Sequence, residues 1–393
     1  MNDLTRRRTA IVHHWLVTMR GGERVLEALM EIFPHADLFT LVCDRRGLSS
    51  AFARTRIHTS FLQRLPRPAQ WYPYYLPLFA AATMRLDLSG YDLIISSDAA
   101  TMKGVRPGPH ATHICYCHTP MRYVWEGYES YRQFGGALAK LALPIFRAPL
   151  RLWDFRAAQQ VTHFLANSRN VADRIHRCYL RESCVVYPPV DTEYFIPPPP
   201  TQRRQDFFLV VSQLVPYKRL DIAVQAFNRC DRPLIIIGDG PERRGLQRQA
   251  NSNVRFLGFQ PDEVVLQAMQ NCHALVFPGE EDFGIVMAEA QACGTPVIAF
   301  ARGGANEIVV DGATGVFFEE QTTVSLLEAV SRFEGLRLDG HCARTSALRF
   351  SRSRFQEQIR TFVRGVVLGQ PGGRGGTSQE LCGKDEVPLS TSS

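Results

Sequence analysis

Two glutamates, Glu281 and Glu289, stand eight positions apart in the stretch GEEDFGIVMAEAQACGTPVIAF at residues 279–300. The strand-like run HALVFP precedes this stretch, and the run TPVIAF closes it. We expect a helix to begin near Phe283 or Gly284, which places Glu281 in the loop before the helix and Glu289 inside it. Eight residues of helix rise about 12 Å, whereas the carboxylate pairs of glycosidases stand about 5–9.5 Å apart. A long ligand with hydroxyl groups at both ends fits better, and the plain alternative is a capping acid followed by a solvated helical glutamate.

A nucleotide sugar is a ligand of that kind. It carries a hexose at one end, a ribose nearer the other end and a diphosphate between them. The N–H groups of Gly284, Ile285 and Val286 would face the diphosphate, because the start of a helix presents unpaired donors and the positive end of the helix dipole.

A basic turn could hold the same diphosphate. Lys218 and Arg219, in SQLVPYKRLD, follow the strand-like run FFLVV at a point where a helix begins. A cation next to a helix N-terminus is a natural diphosphate site, and a solvated basic turn is the alternative.

Two turns that contain glycine also follow predicted strands. Gly21 and Gly22, in RGGE, would let a ligand approach the backbone at the start of the first helix, or they form only a tight turn. Gly238 opens GDGP after PLIIIG, but Arg243 stands where the dinucleotide-binding fingerprint needs a third glycine. This departure disfavours a nicotinamide-dependent dehydrogenase.

Length and composition predict two α/β domains, since 393 residues exceed one compact core. The net charge of +7 suits phosphate-rich small ligands, an anionic membrane surface or nucleic acid, but the scattered basic residues carry no nucleic-acid-binding signature. The ten cysteines show no repeated CxxC pair at zinc spacing. Many of them lie in apolar runs, such as Cys43 and Cys293, and we expect these to be buried free thiols in a reducing cytosol. His13 and His14 break the first apolar run, unlike a signal peptide, and no run of 18 apolar residues predicts a transmembrane helix.

Short apolar runs alternate with helical patterns along the chain. Examples are TAIVHHW, YDLIISS and THICYCH in the first half and FFLVVS, PLIIIG and ALVFPG in the second half. The alternation predicts an α/β fold with parallel sheets covered by helices. The run IPPPPTQRRQD at 196–206 predicts a domain linker, and ligands of two such domains would bind in a cleft beyond the carboxyl ends of the strands. The composition of residues 370–393 predicts a disordered tail.

Residues 136–158 mix leucine, phenylalanine and tryptophan with basic side chains. The pattern fits an interfacial helix on anionic lipid or a core-facing helix with a solvated basic face. The aromatic residues at 70–79 raise the same question, and Pro73 and Pro77 argue against one continuous helix there. The basic residues of the first stretch are Lys140, Arg147, Arg151 and Arg156.

The motif EEDFGIVMAEAQACGTPVIA, with GGANEIV downstream, resembles the E-x7-E signature of the family-4 retaining glycosyltransferases. SQLVPYKRLD is similar to the phosphate-binding loop of that family, and IIIGDGPE, FLGF and the N-terminal GGE match in order and spacing. The resemblance implies the GT-B architecture, two facing Rossmann-like domains with an interdomain cleft. It implies an acceptor-side domain at 1–198, a donor-binding domain at 199–350 and a final helix at 351–366 that packs back onto the first domain.

Three further stretches, WLVTMRGGERVLEAL, CHTPMRYVW and LVPYKR, resemble bacterial mannosyltransferases that build O-antigens and exopolysaccharides. The implied donor is GDP-mannose, and the implied acceptor is a sugar on a polyprenyl diphosphate at the cytoplasmic leaflet. We therefore expect a cytoplasmic protein, or one peripheral on the inner membrane. A transferase using a UDP-sugar, a nucleotide-sugar epimerase, a glycosidase acting on a phosphosugar and a non-catalytic relative stay open as alternatives.

The resemblance also implies roles for single residues. Lys218 would neutralise the leaving diphosphate, Glu281 would bond the donor hexose, and Glu289 would bond the ribose. His118, in CYCHTP, would lie beside the reacting sugar, unless it is only a core histidine at a strand end. The predicted catalytic residues are Glu281, His118 and Lys218. The predicted donor site comprises Gly22, Gln213, Lys218, Arg219, Gly238, Glu281, Phe283, Gly284, Ile285, Val286 and Glu289, and the predicted acceptor side comprises Gly21, His118, Asn167 and Ser168.

Gln213 departs from the family pattern, which usually has arginine five residues before the loop lysine. A guanidinium suited to bidentate phosphate contact is therefore missing, and Lys218 and Arg219 would have to carry the charge. The implied mechanism needs no bound metal and no other cofactor. The diphosphate leaves through an oxocarbenium-like state, the acceptor hydroxyl attacks from the same face, and catalysis rests on positioning and charge stabilisation.

Overall fold

Two compact units make up the described part of the chain. The first unit comprises the described residues up to Tyr187 and those from Gln356 onward, and the second unit runs from Pro188 to Phe355. The predicted disordered tail at 370–393 lies outside the described residues. The computed structural model describes residues 7–53, 55–126, 128 and 137–368.

A parallel sheet forms the centre of the first unit. The described strands of the unit are β1 (Thr9–His13), β2 (Asp37–Thr40), β3 (Ile57–Thr59), β4 (Asp87–Leu88), β5 (Leu93–Asp98), β6 (Arg106–Pro107), β7 (Thr112–Cys117), β8 (His163–Ala166) and β9 (Ser183–Val185). The strand order in the main sheet is β3-β2-β1-β5-β7-β8-β9, and β4 and β6 form a separate parallel pair. The described helices are α1 (Gly21–Ile32), α2 (Pro68–Trp71), α3 (Phe79–Met84), α4 (Ala137–Gln160) and α5 (Arg169–Tyr179).

Burial on both faces of the sheet explains the sequence pattern of the first unit. Strands β1 and β5 are buried along their whole length, so their sequences are apolar runs rather than alternating ones. Helix α1 covers the sheet with Val25, Leu26 and Leu29, which are buried, and Leu29 follows the other two by four and three positions.

The second unit repeats this architecture. Its described strands are β10 (Phe208–Val211), β11 (Leu234–Ile237), β12 (Val254–Gly258), β13 (Ala274–Phe277), β14 (Val297–Phe300) and β15 (Gly315–Phe318), in the order β12-β11-β10-β13-β14-β15. Its described helices are α6 (Leu220–Cys230), α7 (Arg243–Gln249), α8 (Asp262–Asn271), α9 (Ile285–Ala292), α10 (Ala305–Ile308), α11 (Thr323–Glu334) and α12 (Gly340–Ala347). The two parallel sheets confirm the predicted α/β fold with two Rossmann-like units.

The proline run belongs to the second unit. The two units divide between Tyr187 and Pro188, earlier than the boundary proposed after residue 198. The reason is that residues 188–206 are tied to the second unit by side chains from within it. Arg344 donates hydrogen bonds to the carbonyl oxygens of Thr192 and Phe195 at 2.9 and 2.8 Å.

Arg204, inside the sequence expected to be a solvated linker, holds this segment in place. Its guanidinium donates to the carbonyl oxygens of Met269, Cys272 and Cys293, each at 3.1 Å, and to Oγ1 of Thr295 at 2.7 Å. Burial lowers the pKa of Arg204. The segment is therefore a structural part of the second unit.

We expect Arg204→Ala to lower the free energy of unfolding of the second unit by about 3 kcal/mol, because hydrogen bonds to a charged group contribute about 1.5–3 kcal/mol each and are not additive. Urea unfolding followed by circular dichroism measures the change. Arg203→Ala is the matched control, since Arg203 is exposed. Equal stability of the two variants would contradict the role of Arg204.

The last described helix is α13 (Arg352–Leu368), and from Gln356 onward it belongs to the first unit. There the side chain of Gln356 donates to Glu31 at 2.6 Å, and the ring of Phe362 packs edge-on against His163 at 5.8 Å. Among the residues that the structure describes, none of the helices is both long and apolar enough to span a bilayer.

Candidate functional site

The start of helix α9 places the glutamates as the sequence predicts. Gly284 precedes the helix with a φ of +86°, a backbone conformation that favours glycine, and a Cβ there would displace the end of the Met287 side chain, whose Cε would lie 2.3 Å away. Ile285 and Val286 form the half-buried first turn, whose N–H groups have no partner within the helix. Glu281 lies in the preceding loop.

Glu289 lies inside α9 and is only 5% exposed. The alternative of a solvated helical glutamate therefore does not hold for this residue, because burying a carboxylate needs compensating partners. Phe283 is also buried, and its ring packs edge-on against Phe350 at 5.2 Å. Phe283 therefore fixes the loop of Glu281 by packing into the core.

The downstream GGANEIV motif supports the loop of Glu281 through backbone contact. The N–H of Gly304 donates to the carbonyl oxygen of Glu281 at 2.9 Å. A Cβ at Gly303 would lie 2.3 Å from that oxygen, and one at Gly304 would lie 2.2 Å from the oxygen of Phe283. Only glycines allow this close approach, which links the two motifs of the resemblance.

Lys218 and Glu281 form an ion pair. Lys218 ends a short 3-10 helix, Pro216–Lys218, beyond the carboxyl end of β10, and the two side chains are 15% and 18% exposed. The ammonium nitrogen also lies 5.9 Å from the centre of the Phe277 ring. The cation predicted to bind the diphosphate, Lys218, thus contacts the carboxylate predicted to bind the hexose, Glu281, in a partly buried position.

Arg219 and Gln213 differ from Lys218 in their surroundings. The guanidinium of Arg219 forms two hydrogen bonds with the carboxylate of Asp221, at 3.1 and 3.0 Å, and both side chains are half-exposed. Gln213 is exposed. The charge of Arg219 is therefore balanced by Asp221, and Lys218 lies beside the glutamate of the motif.

Gly238 has a steric role that the sequence did not reveal. Its φ is +133°, and a Cβ there would lie 1.8 Å from the carbonyl oxygen of Ser212. The adjacent Asp239 accepts a hydrogen bond from the N–H of Leu214 at 2.9 Å through its backbone oxygen. These contacts hold the loop after β11 against the loop that contains Gln213.

In the first unit, a chain of polar side chains connects the ends of neighbouring strands. Nδ1 of His13, the last residue of β1, lies 3.0 Å from Oγ of Ser97 in β5, and that oxygen lies 2.8 Å from Nε2 of His118, just after β7. On the other side, Nε2 of His13 lies 3.6 Å from the carboxylate of Glu23 in α1. A Cβ at Gly22 would be 3.8 Å from His118 Nε2, so the glycine turn lies directly against this chain.

Glu23 and Ser97 connect the histidines of this chain. Burial raises the pKa of Glu23, but its interactions with His13, the backbone and Arg20 together lower that pKa overall. The hydroxyl of Ser97 lies within hydrogen-bond distance of both imidazoles, and the tautomers of His13 and His118 decide which group donates. Burial, followed by the charges of His13 and His118, lowers the pKa of His14 well below its usual value, which keeps that neighbouring ring neutral.

Asn167 and Ser168 are buried and support His118. Nδ2 of Asn167 donates to the carbonyl oxygen of His118 at 3.0 Å. Ser168 Oγ donates to Asn167 at 3.0 Å and accepts from the N–H of Val171 at 3.1 Å, which caps helix α5. These two residues therefore position the loop of His118. Gly21 is the first residue of α1.

A fully buried ion triad lies behind the same strand ends. Nζ of Lys103 lies 2.8 Å from a carboxylate oxygen of Asp98 and 2.7 Å from one of Asp154. Asp154 also accepts hydrogen bonds from Tyr179 at 2.7 Å and Trp125 at 2.8 Å. Although burial lowers the pKa of the Lys103 amine, the two carboxylates raise it well above its usual value.

Sequence analysis missed His13, Ser97, Glu23 and the Lys103 triad as functional or supporting residues. The available signal was the presence of polar residues at the ends of otherwise apolar strands, as in TAIVHH and LIISSD. Such residues point beyond the carboxyl ends of parallel strands, where sites form in this fold. Their mutual contacts depend on which strands are neighbours, which the sequence does not state.

Solved structures with the same fold are glycosyltransferases of the GT-B class. The lipopolysaccharide outer core galactosyltransferase WaaB matches with a TM-score of 0.63 and 17% identity, over 92% of this chain and 99% of that chain. The Anabaena protein HepE, in complex with UDP and glucose, matches with a TM-score of 0.69 and 18% identity, over 91% of this chain and 99% of that chain. These similarities establish the two-domain GT-B architecture.

Two protein-family models match the chain. Residues 19–194 match Glycosyltransferase Family 4, and residues 191–345 match Glycosyl transferases group 1. The two matches together cover most of the sequence. The chain belongs to the glycosyltransferase family that combines these two domains.

Curated relatives match over shorter segments. An uncharacterized glycosyltransferase, MJ1178 of Methanocaldococcus jannaschii, is 35% identical over 130 residues, which are 32% of this chain and 37% of that protein. The D-rhamnosyltransferase WbpZ of Pseudomonas aeruginosa is 37% identical over 118 residues, 28% of this chain and 31% of that protein. The D-inositol 3-phosphate glycosyltransferase of Mycobacteroides abscessus is 28% identical over 198 residues, 44% of this chain and 45% of that protein. The matched segments thus span less than half of each of these relatives.

Proposed function

We propose that the protein is a retaining glycosyltransferase that moves mannose from GDP-mannose to a lipid-linked saccharide during the synthesis of a bacterial surface polysaccharide. The observation that carries the proposal is the Lys218–Glu281 ion pair beside the start of helix α9. It brings a cation, a carboxylate and a helix N-terminus together, and a sugar bound to a diphosphate needs all three.

Donor binding would exchange the partner of Lys218. The diphosphate carries more negative charge than one carboxylate, so it displaces Glu281 from the ammonium group. Glu281 is then able to accept a hydrogen bond from a hexose hydroxyl, and Glu289 does the same for the ribose. Lys218 and the first N–H groups of α9 stabilise the charge that develops on the leaving diphosphate.

His118 is a further residue for which we propose a role in the transfer. The bond between the anomeric carbon and the diphosphate oxygen breaks, the acceptor hydroxyl attacks from the same face, and its proton passes to the departing phosphate oxygen. The polar chain through Ser97 and His13 holds the imidazole of His118 in one orientation for this step. No bound metal or other cofactor enters the proposal.

A UDP-sugar is the second candidate donor. The solved relative HepE is described in complex with UDP-glucose, whereas the proposal of GDP-mannose rests on the resemblance of WLVTMRGGERVLEAL, CHTPMRYVW and LVPYKR to mannosyltransferases. A thermal-shift panel of GDP, UDP, GDP-mannose and UDP-glucose separates them. A ligand at 100 times its dissociation constant adds about 2.7 kcal/mol of stability.

Transfer itself is tested with a radiolabelled donor and a synthetic polyprenyl-diphosphate saccharide. We expect label in the lipid-linked product with the anomeric configuration of the donor retained. Label in free hexose would support a hydrolase, and label in an altered nucleotide sugar would support an epimerase. Donor binding with none of these products would support the non-catalytic alternative.

An anionic membrane surface is the proposed location of the acceptor. Apolar side chains with exposures of 39–66% lie in two segments of the first unit. Ala80, just after the first segment, packs against the buried cluster of Met121, Val124 and Leu150, and Leu150 belongs to the second segment. No acidic residue occurs from 57 to 86, and the only acid of α4, Asp154, is buried. The exposed apolar residues are Trp71, Tyr74, Leu78, Ile145, Phe146 and Leu152.

Arginines on these segments fit the negative surface of such lipids. Arg67 stacks on Trp71, and Arg151 is exposed on α4. We expect the protein to co-sediment with phosphatidylglycerol vesicles and much less with phosphatidylcholine vesicles. Ile145→Ser should weaken this binding, whereas Val324→Ser, at an exposed apolar position of the second unit, should not.

Gln213→Arg should strengthen the binding of GDP about tenfold if the exposed side chain at position 213 faces the diphosphate. A charge-assisted hydrogen bond contributes about 1.5–3 kcal/mol, and solvent screening favours the lower end. Calorimetric titration of GDP and of guanosine, which lacks phosphates, measures the effect. A gain for both ligands, or for neither, would contradict the assignment of position 213 to the phosphates.

A further inference from the structure

A cavity of about 690 Å³ lies in the first unit, between strands β2 and β3 and the connection from α3 to β5. Small-molecule sites commonly occupy about 300–1,000 Å³. Three residues of the cavity wall, Arg8, Gly90 and Tyr91, come directly before the amino ends of β1 and β5. From Arg8 to His13, the other end of β1, the chain advances about 17 Å at about 3.3 Å per residue. Thr59, Ser60 and Phe61 line the cavity at the carboxyl end of the edge strand β3, and the lining includes none of His13, Ser97 and His118.

Aromatic rings form one side of the cavity. Phe39 is buried, stacks on His58 at 4.5 Å with an interplanar angle of 15°, and meets Tyr91 edge-on at 5.5 Å. The hydroxyl of Tyr91 donates a hydrogen bond to the carboxylate of Asp37 at 2.6 Å, and burial together with this bond raises the pKa of Tyr91 to about 12. Tyr91 is thus neutral and presents its ring to the cavity.

Two guanidinium groups lie over aromatic rings at the rim. Arg8 lies 5.1 Å from the centre of the Tyr91 ring, and Arg85 lies 5.4 Å from that of Phe61. Within the described part of the chain, neither guanidinium has a carboxylate within ion-pair distance. Stacking holds each group in place while its N–H edge stays available for an anion.

The acidic groups around the cavity are already engaged. Asp37 accepts from Tyr91 and lies 3.6 Å from Nε2 of His58. Asp92 accepts from the backbone N–H of Arg8 at 2.9 Å. Asp87, in the wall, accepts from the N–H and hydroxyl of Ser89, and these bonds lower its pKa. Among the residues that line the cavity, two are arginines, Arg8 and Arg85, and one is an aspartate, Asp87.

We propose that this cavity is a second ligand site, which takes a small organic anion made of a flat ring and one phosphate or carboxylate group. The ring lies against Phe39 and Tyr91, and the anionic group lies between Arg8 and Arg85. The proposal does not depend on the proposed transferase activity, because the residues that line this cavity include none of the proposed donor or acceptor residues.

Phenyl phosphate is the probe, and ligand-detected saturation-transfer NMR of the full chain gives its affinity. We expect a dissociation constant of about 1 mM or lower. Benzyl alcohol, which lacks the charge, and inorganic phosphate, which lacks the ring, should each bind at least tenfold more weakly. Saturating GDP should not displace phenyl phosphate.

Arg8→Gln and Arg85→Gln should each weaken phenyl phosphate at least tenfold. Arg64→Gln is the matched control, since Arg64 is exposed on the same 3-10 helix as Phe61 but does not line the cavity. Circular dichroism checks that the three variants are folded. Absence of binding, displacement by GDP, or equal weakening by the Arg64 and Arg85 variants would overturn the proposal.

Discussion

Lys103→Met is expected to lower the free energy of unfolding of the first unit by about 3–5 kcal/mol. The substitution removes the cation between Asp98 and Asp154 and leaves two buried carboxylates without a countercharge, which is the costly way to break a buried ion pair. All three side chains are fully buried, so solvent does not screen the loss. Urea unfolding followed by the fluorescence of Trp125, which bonds Asp154, measures the change.

Two comparisons make this expectation specific. Arg46→Met breaks an ion pair with Asp44 in which the arginine is 90% exposed, and we expect it to change stability far less than Lys103→Met does. The double variant Lys103→Met/Asp154→Asn should be more stable than Lys103→Met alone, since it also removes one uncompensated charge. A Lys103→Met protein as stable as Arg46→Met would show that the triad contributes little.

The triad also bears on the proposed site. The carbonyl oxygen of Asp98 accepts the backbone N–H of His118 at 2.8 Å, and Ser97, which bonds His118, precedes Asp98 in the same strand. Disturbing Lys103 should therefore displace the imidazole that the proposal places beside the reacting sugar. A loss of activity in a Lys103 variant that stays folded would have this cause.

Glu281→Gln is expected to reduce the turnover number about a hundredfold at saturating donor while leaving the affinity for GDP unchanged or higher. Loss of one preorganised polar contact to the reacting group lowers rates by about 10²–10³. Affinity for GDP should not fall, because glutamine removes the carboxylate that competes with the diphosphate for Lys218. Steady-state kinetics and calorimetric titration of GDP measure the two quantities.

Glu280→Gln is the matched control, since Glu280 is the exposed neighbour in the same loop. It should leave turnover within about threefold of the native protein, because it lies outside the ion pair. A Glu281→Gln protein with normal turnover would remove Glu281 from the reaction. A marked loss of GDP affinity would instead show that Glu281 supports Lys218 rather than competing with the donor.

Periodicity was sufficient to predict the fold. Strands buried on both faces require continuous apolar runs, and the helices that cover them require an apolar stripe. Both patterns are local, and they are present in TAIVH for a strand and in GGERVLEAL for a helix. The position of Glu281 before a helix and of Glu289 within it followed in the same way, because Gly284 marks the turn. The assignment of donor and acceptor roles to these residues stays a prediction.

Pairing among distant residues was decided only by the tertiary structure. Lys218 meets Glu281 because β10 and β13 are neighbours in the sheet, and the chain from His13 through Ser97 to His118 exists because β1, β5 and β7 are adjacent. Strand order is set by packing over the whole unit, so these contacts leave no local sequence signal. The burial of the Lys103 triad and the structural role of Arg204 were not predicted for the same reason. A charged residue is expected to be exposed to solvent unless its partners are known.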